Sequence, residues 1–307
     1  MTMAEVTVVG DGIVDIISRG DADGTRHAGG SALNVATGLT ILGRTTGLIY
    51  QSGADEPGEW LVEYLEQSGV RPIRLLDDRG TGTAHAYFRT ADGEPTYSFN
   101  EALLNREYVF DSTASQAIRQ AKAVVVSGFP LDHEQSVDAY LQELDRSDGL
   151  GVIDPNPRPA ILNDVEKYRI GFERVARGSR IVKLSDEDLI TLYGDDQLVA
   201  ALVDSGIVVV VTHGRRGASV HLPGQPPLHA PARELAQPMV DTLGAGDATL
   251  AALIAGVLDS ASLTDRTIWE YSLARAMEIA AWTCRSAGGT LQLPKNELSE
   301  PHLERKS

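Results

Sequence analysis

The run Val240-Asp241-Thr242-Leu243-Gly244-Ala245-Gly246-Asp247-Ala248 leads directly into a helix of small residues starting at Thr249. Gly244 and Gly246 leave no side chain where a backbone must come close to another group, and the amides of Ala245, Gly246 and Asp247 have no acceptor at a helix start. Together they form an anion hole, to which the helix dipole adds roughly half a positive charge. A phosphoryl group in transit can be held there without a lysine. Asp247 lies in the same first turn, and a carboxylate beside such a hole can take a proton from an attacking hydroxyl while the phosphoryl group passes in line. That makes Asp247 the candidate base. The bare string also reads as an ordinary capped helix, so the surrounding residues matter.

Two further signals lie near the start. In Ala28-Gly29-Gly30-Ser31-Ala32-Leu33-Asn34, paired glycines let backbone amides approach a hydroxylated ligand, and Asn34, one turn into the next helix, shares the side of Gly30. A plain loop-to-helix junction has the same look. In Gly10-Asp11-Gly12-Ile13-Val14-Asp15, at the exit of the first strand, Asp11 and Asp15 are placed to accept hydrogen bonds from sugar hydroxyls. This is not a dinucleotide fingerprint, since Asp15 replaces the third glycine of G-x-G-x-x-G, and no GxxxxGK[ST] P-loop occurs.

The elements that must position these residues alternate. Short apolar runs at Val6–Gly10, Ala123–Val126, Gly151–Ile153, Arg180–Lys183 and Ile207–Thr212 predict parallel strands. Segments of 3.6-residue period at Ala32–Leu42, Glu59–Ser68, Glu134–Leu144, Asp186–Tyr193, Ala245–Leu258 and Trp269–Arg285 predict the helices between them. The expected architecture is α/β, a doubly wound, mostly parallel sheet. Residues 13–28 and about 72–100 alternate polar and apolar around Asp23-Gly24 and Asp92-Gly93, which predicts a small, partly solvated β-flap built from two insertions. Such a cover closes over substrate to exclude water. Tyr87, Phe88, Tyr97 and Phe99 fall on two of its strands, so one aromatic of each pair is expected to face substrate or a partner flap, unless they pack across the hairpin.

With 307 residues the chain is long enough for a substantial core, read here as one catalytic domain over 1–307. Its net charge of −16 disfavours nucleic acid and anionic membrane surfaces as partners. A polyanion such as ATP must therefore be bound by a local device. One cysteine, Cys284, excludes an intramolecular disulfide and a cysteine zinc cluster. The start of the chain carries no basic segment before its short apolar run, and no stretch reaches membrane-span length, so the expectation is a cytoplasmic protein.

Taken in order, Gly29–Asn34, Gly53-Ala54-Asp55, the stretch 154–159 (DPNPRP), 183–188 (KLSDED), 211–217 (VTHGRRG) and 241–247 (DTLGAGD) resemble the PfkB, or ribokinase-like, family of carbohydrate kinases over nearly the whole chain. The flap segment and the tail look most like the bacterial fructokinases. The resemblance implies a three-layer α/β/α fold with a small β-sheet lid, and transfer of the γ-phosphoryl group of ATP to a sugar hydroxyl. Position by position it implies Asp247 as base, with Gly244, Ala245 and Gly246 as its anion hole. Asp15, Gly29, Gly30 and Asn34 would bind sugar together with Asp11, Phe88 and Arg158, the last a guanidinium able to reach sugar or γ-phosphate. Lys183, Ser185, Thr212, Gly214 and Gly217 would bind nucleotide. Asp188 would organise Mg²⁺ through water, and Asp241, Leu243 and Gly288 would bind a monovalent cation such as K⁺. Lid sheets in this family often pair between protomers, which would allow a homodimer through the lid unless a charged flap edge keeps the sheets apart.

The family's N-x-x-E appears here as Ser185-Asp186-Glu187-Asp188, and Thr249 stands where many relatives carry Phe. Fructose is the expected substrate; ribose, 2-keto-3-deoxygluconate, a nucleoside or a sugar phosphate are alternatives, as is a non-catalytic sugar sensor. A nucleoside requires a flat stacking slot, and a sugar phosphate two or more convergent cations, of which few are seen near the motifs.

Overall fold

The computed structural model describes residues 4–19, 24–88, 96–286 and 288–294. In chain order the strands are β1 (Val6–Gly10), β2 (Ile13–Arg19), β3 (Thr25–Gly29), β4 (Thr46–Ser52), β5 (Arg71–Leu76), β6 (Thr83–Phe88), β7 (Thr96–Phe99), β8 (Ala123–Ser127), β9 (Leu150–Asp154), β10 (Ile181–Ser185), β11 (Val208–Thr212), β12 (Ala218–His221) and β13 (Leu228–Ala230). The α-helices are α1 (Ser31–Ile41), α2 (Glu56–Gln67), α3 (Glu101–Leu104), α4 (Ser112–Gln120), α5 (Glu134–Asp145), α6 (Val165–Gly178), α7 (Asp186–Leu192), α8 (Gln197–Asp204), α9 (Ala245–Val257) and α10 (Arg266–Thr283).

Nine strands form one sheet in the order β13-β12-β11-β10-β9-β8-β1-β4-β5. From β11 to β5 every neighbouring pair is parallel, and β12 and β13 add an antiparallel edge. The central strands alternate between two cores. Val6 and Val8 pack with Leu33, Leu250 and Trp269 on one face, Val9 with Ile118, Tyr140 and Phe172 on the other. This is the expected three-layer α/β/α arrangement. A separate four-stranded sheet, β3-β2-β6-β7, pairs β2 with β6 in parallel and its outer strands antiparallel.

The expected extent of the flap needs one correction. Residues 71–76 pair in parallel with β4 at the edge of the large sheet, and the second piece of the small sheet begins at Thr83. Ile73 and Leu75 are buried while Leu76 is 68% exposed. An edge strand covered on one face alternates as a solvated strand does, so its pattern misled. Asp23 of the Asp23-Gly24 turn and the Asp92-Gly93 turn lie outside the described residues. The pair Tyr97 and Phe99 is also corrected: the two rings stack on one face, centroids 6.5 Å apart, because residues two apart on a strand point the same way.

The geometry of the site depends on α9. Its sequence is apolar all round apart from Asp247 and Thr249, so it sits in the core, with α1 against one side and α10 against another. A Cβ on Gly38 of α1 would stand only 3.1 Å from that of Ala251, which shows how closely the two helices approach. The Thr249 hydroxyl donates to the Ala245 carbonyl oxygen at 2.8 Å, bracing the first turn. Among the described residues no helix is long and apolar enough to cross a membrane.

Candidate active site

The close packing of α1 on α9 brings residues more than 200 positions apart into contact. Asp247 is 6% exposed. Its Oδ1 accepts from the Ser31 hydroxyl at 2.6 Å and its Oδ2 from Asn34 Nδ2 at 2.8 Å. Ser31 in turn shares a 2.6 Å hydrogen bond with Ser127 at the end of β8. Two donors on one helix thus fix the carboxylate in place on the other. Gly244, which caps α9, has φ +75°, and a Cβ there would stand 2.2 Å from the carbonyl oxygen of Gly289. Only glycine meets both conditions. A Cβ on Gly289 would in turn lie 2.5 Å from Asn34 Nδ2, so the glycine turn, residue 289 and the Asn34 amide form one tight stack. Gly30, capping α1, has φ +103° and lies against the Asp11 carbonyl.

The opposite wall comes from the carboxyl ends of β9, β10 and β11, where ligands of open α/β sheets bind. Lys183 Nζ donates to Asp154 Oδ2 at 2.7 Å, with both side chains buried. The ammonium stands 3.1 Å from where a Cβ on Gly246 would be. Burial pushes the Asp154 carboxyl up to about 7 against the pull of Lys183, with Asp188 and Asp247 adding to the rise. Burial opposes the Lys183 charge, yet Asp154, Asp188 and Asp247 together carry it above its ordinary value. Ser185 and Asp188 form a reciprocal cap on α7: the Ser185 hydroxyl accepts from the Asp188 amide at 3.0 Å, and Asp188 Oδ2 from the Ser185 amide at 2.7 Å. These groups, expected at nucleotide and Mg²⁺, are therefore partly committed to the helix start, leaving Asp188 Oδ1 without a hydrogen bond among the described residues.

Thr212 ends β11, followed by a turn over Gly214–Arg216, with Gly214 at φ +55° and open space beside it. His213 and Arg216 bind the two carboxylate oxygens of Asp186 at 2.7 and 2.6 Å, tying the turn to α7. Gly217, expected to lie under adenosine, is also required to be glycine by the chain's own packing. Its φ is +100°, and a Cβ would stand 2.0 Å from the Ala230 carbonyl oxygen.

Below the small sheet, Asp11, expected to accept from sugar hydroxyls, commits one carboxylate oxygen to the chain itself. It is buried and ion-paired with Arg106, whose Nη1 also donates to the Gly128 carbonyl at 2.7 Å. Burial works against the Arg106 charge, but the Asp11 carboxylate raises it above its usual value. Asp15, by contrast, has no hydrogen bond among the described residues. Burial raises its carboxyl to about 6, with Arg158 and His27 pulling the other way and Asp11 adding to the rise. A Cβ on Gly29 would fall 2.0 Å from Asp15 Oδ2, so any side chain there would displace the Asp15 carboxylate. Arg158 is exposed in the loop after β9, and Phe88 ends β6 half-buried. Leu243 and Gly288 both donate their amides to Asp241, at 2.9 and 3.3 Å, so the three residues expected at a monovalent cation meet, with the carboxylate accepting from the loop itself.

The model of the pfkB family carbohydrate kinases matches residues 3–296. The chain belongs to the PfkB family of carbohydrate kinases. It is similar to a fructokinase of Klebsiella pneumoniae, 28% identical over 302 residues that cover 94% of this chain and 96% of that one. It shares its fold with the fructokinase of Vibrio cholerae O395 solved with fructose, ADP and calcium, at TM-score 0.78, 21% identity and 94% coverage of both chains. The same holds for the aminoimidazole riboside kinase of Salmonella enterica complexed with aminoimidazole riboside and an ATP analogue, at TM-score 0.76, 21% identity and 92% and 94% coverage. The protein is accordingly an ATP-dependent carbohydrate kinase.

Three residues of this PfkB site escaped the sequence reading. Ser31 and Asp154 lie inside the motifs but carry no expected role, and Arg106 lies in no motif. Two buried cations lie near the motifs, Lys183 and Arg106, each paired with its own buried carboxylate.

Proposed function

We propose that this PfkB kinase transfers the γ-phosphoryl group of ATP to a primary hydroxyl of a small sugar, fructose before others, by direct in-line displacement. The observation that carries the reading is Asp247: a buried carboxylate, held by Ser31 and Asn34, in the first turn of a helix whose Gly244, Ala245 and Gly246 leave a bare backbone cradle. In this reading the sugar lies between Asp15, Gly29 and Gly30 on one side and Asp247 on the other, covered by a lid formed from the small sheet. Asp247 removes the hydroxyl proton as the oxygen attacks, and the amides of the cradle hold the migrating group. Thr212 and Gly214 border the nucleotide, and Arg158 reaches in from the loop after β9.

Among the described residues no cluster of three or more His, Cys, Asp or Glu is arranged to hold a metal. That suits Mg²⁺ carried in on the nucleotide, with waters and one or two carboxylates completing its shell. Asp188 Oδ1 is the group left to face that shell. When bound, Mg²⁺ neutralises phosphate charge. A K⁺ site at Asp241, Leu243 and Gly288 and a homodimer through the exposed edge strands β3 and β7 belong to the same reading.

Fructose is preferred because of the likeness to the Klebsiella enzyme over nearly the full length of both chains. The test is ADP release over fructose, ribose, glucose, 2-keto-3-deoxygluconate and adenosine with Mg²⁺, with and without K⁺. Fructose is expected to give the highest kcat/KM. A different best substrate would reassign the sugar, and no release with any acceptor would favour a binding protein.

A further inference from the structure

The last paired residues of β9 and β10 are Val152 with Ile181 and Ile153 with Val182, so Asp154 and Lys183 are the next pair along, side by side at the carboxyl end of the sheet. Asp154 is fully buried, and among the described residues only one of its oxygens is used: Oδ2 accepts from Lys183 Nζ at 2.7 Å, while Oδ1 has no partner there. Lys183 has three N–H donors, and among the described residues only Asp154 accepts from it. Its ammonium lies against Gly246, in the first turn of α9. A buried ion pair contributes little net stability by itself, because desolvation offsets the attraction. At this place it does something else. It holds a cation with two spare donors beside the amides that face the phosphate cradle. It also keeps that cation from settling on Asp247, whose carboxylate is close enough to act on both partners electrostatically.

We infer that Asp154 is a positioning residue: it pins the Lys183 ammonium at Gly246, so that the outer phosphates of the nucleotide meet a fixed cation next to the helix amides. The inference rests on the kinase reading above and adds to it a residue that touches no substrate. Without the Asp154 carboxylate, the ammonium is drawn to Asp188 or Asp247 and leaves the cradle.

The test compares the affinity of the full-length protein for ATP and for AMP by calorimetry, with Mg²⁺ and without sugar. Asp154→Ala is expected to weaken ATP by about 10- to 100-fold, the size of a lost charged hydrogen bond, and to leave AMP unchanged. Asp154→Asn, which keeps an oxygen acceptor in reach of Nζ, is expected to restore most of the affinity. Lys183→Met is expected to match Asp154→Ala, and the double variant to lose no more than Lys183→Met alone. If Asp154 merely subtracted positive charge from the site, Asp154→Ala would bind ATP more tightly. That result, or equal losses for ATP and AMP, would overturn the inference. Should the alanine variant not fold, Asp154→Ser, with a hydroxyl too short to reach Nζ, takes its place under the same criteria. A wild type that phosphorylates sugar alongside an Asp154→Ala of unchanged ATP affinity removes this inference alone. A wild type that phosphorylates nothing removes the kinase reading.

Discussion

Replacing Gly244 separates two reasons for its being glycine. At φ +75° any L-residue carries a strain of about 1–2 kcal/mol, which Asn, at home in the left-handed region, largely escapes. The second reason is contact: every Cβ at this position meets the Gly289 carbonyl oxygen at 2.2 Å, about 1 Å inside van der Waals distance. Gly289 itself lies in tight surroundings beside Asn34, which holds Asp247, so a shift of either the chain at 244–246 or of residue 289 disturbs the base, and a shift of about 1 Å in a positioned reacting group costs about 10²-fold in rate. Gly244→Ala and Gly244→Asn are both expected to lower kcat by about 10²-fold, with no rescue by Asn. Gly43, at φ +83° with nothing within 4 Å, supplies the control: Gly43→Ala loses only the strain, and Gly43→Asn recovers it. Steady-state ADP release and thermal melts on all four variants decide the matter. A Gly244→Asn enzyme with wild-type kcat would refute the contact argument.

Other consequences concern the floor of the site. The Asp15 carboxyl is raised to about 6 in the folded protein, above its unfolded value, so the stability linked to its proton is present below about pH 4 and is lost as pH rises through about 6. Asp15→Asn is therefore expected to gain roughly 1–2 kcal/mol in melts of the sugar-free protein at pH 7, after allowance for partial exposure, and to bind sugar more weakly. In the wild type, sugar affinity measured without nucleotide is expected to rise between pH 5 and 7, with the slope absent in Asp15→Asn. Arg106→Met leaves the buried Asp11 charge alone and is expected to cost about 3–5 kcal/mol by denaturant titration, most of it regained in a second variant that adds Asp11→Asn.

Legibility from sequence follows what the chain encodes locally. Strands β1, β8, β9, β10 and β11 are buried on both faces and appear as apolar runs, and α9 announces itself by its glycine turn. β4 is just as buried, but Gln51 and Ser52 at its end blurred the run. The amphipathic α6 spreads Tyr168, Phe172 and Val175 among charged residues and passed unnoticed, as did α4 and α8. The glycines and Asp247 were readable because backbone conformation and helix position restrict residue type. The pairs Arg106 with Asp11 and Lys183 with Asp154 were not, since sheet order and loop path bring them together and neither leaves a local pattern. Ser185 and Asp188, expected at nucleotide and Mg²⁺, sit in a Ser-x-x-Asp string that at a helix start is also a capping box.

The central claim is that the Asp247 carboxylate deprotonates the acceptor alcohol beside the α9 cradle. Asp247→Asn keeps the shape of the side chain and removes its capacity as a base. Turnover at saturating ATP and fructose is expected to fall by about 10²- to 10⁴-fold, while calorimetric affinity for both ligands stays near that of the wild type. An Asp247→Asn enzyme that turns over at the wild-type rate would contradict the account.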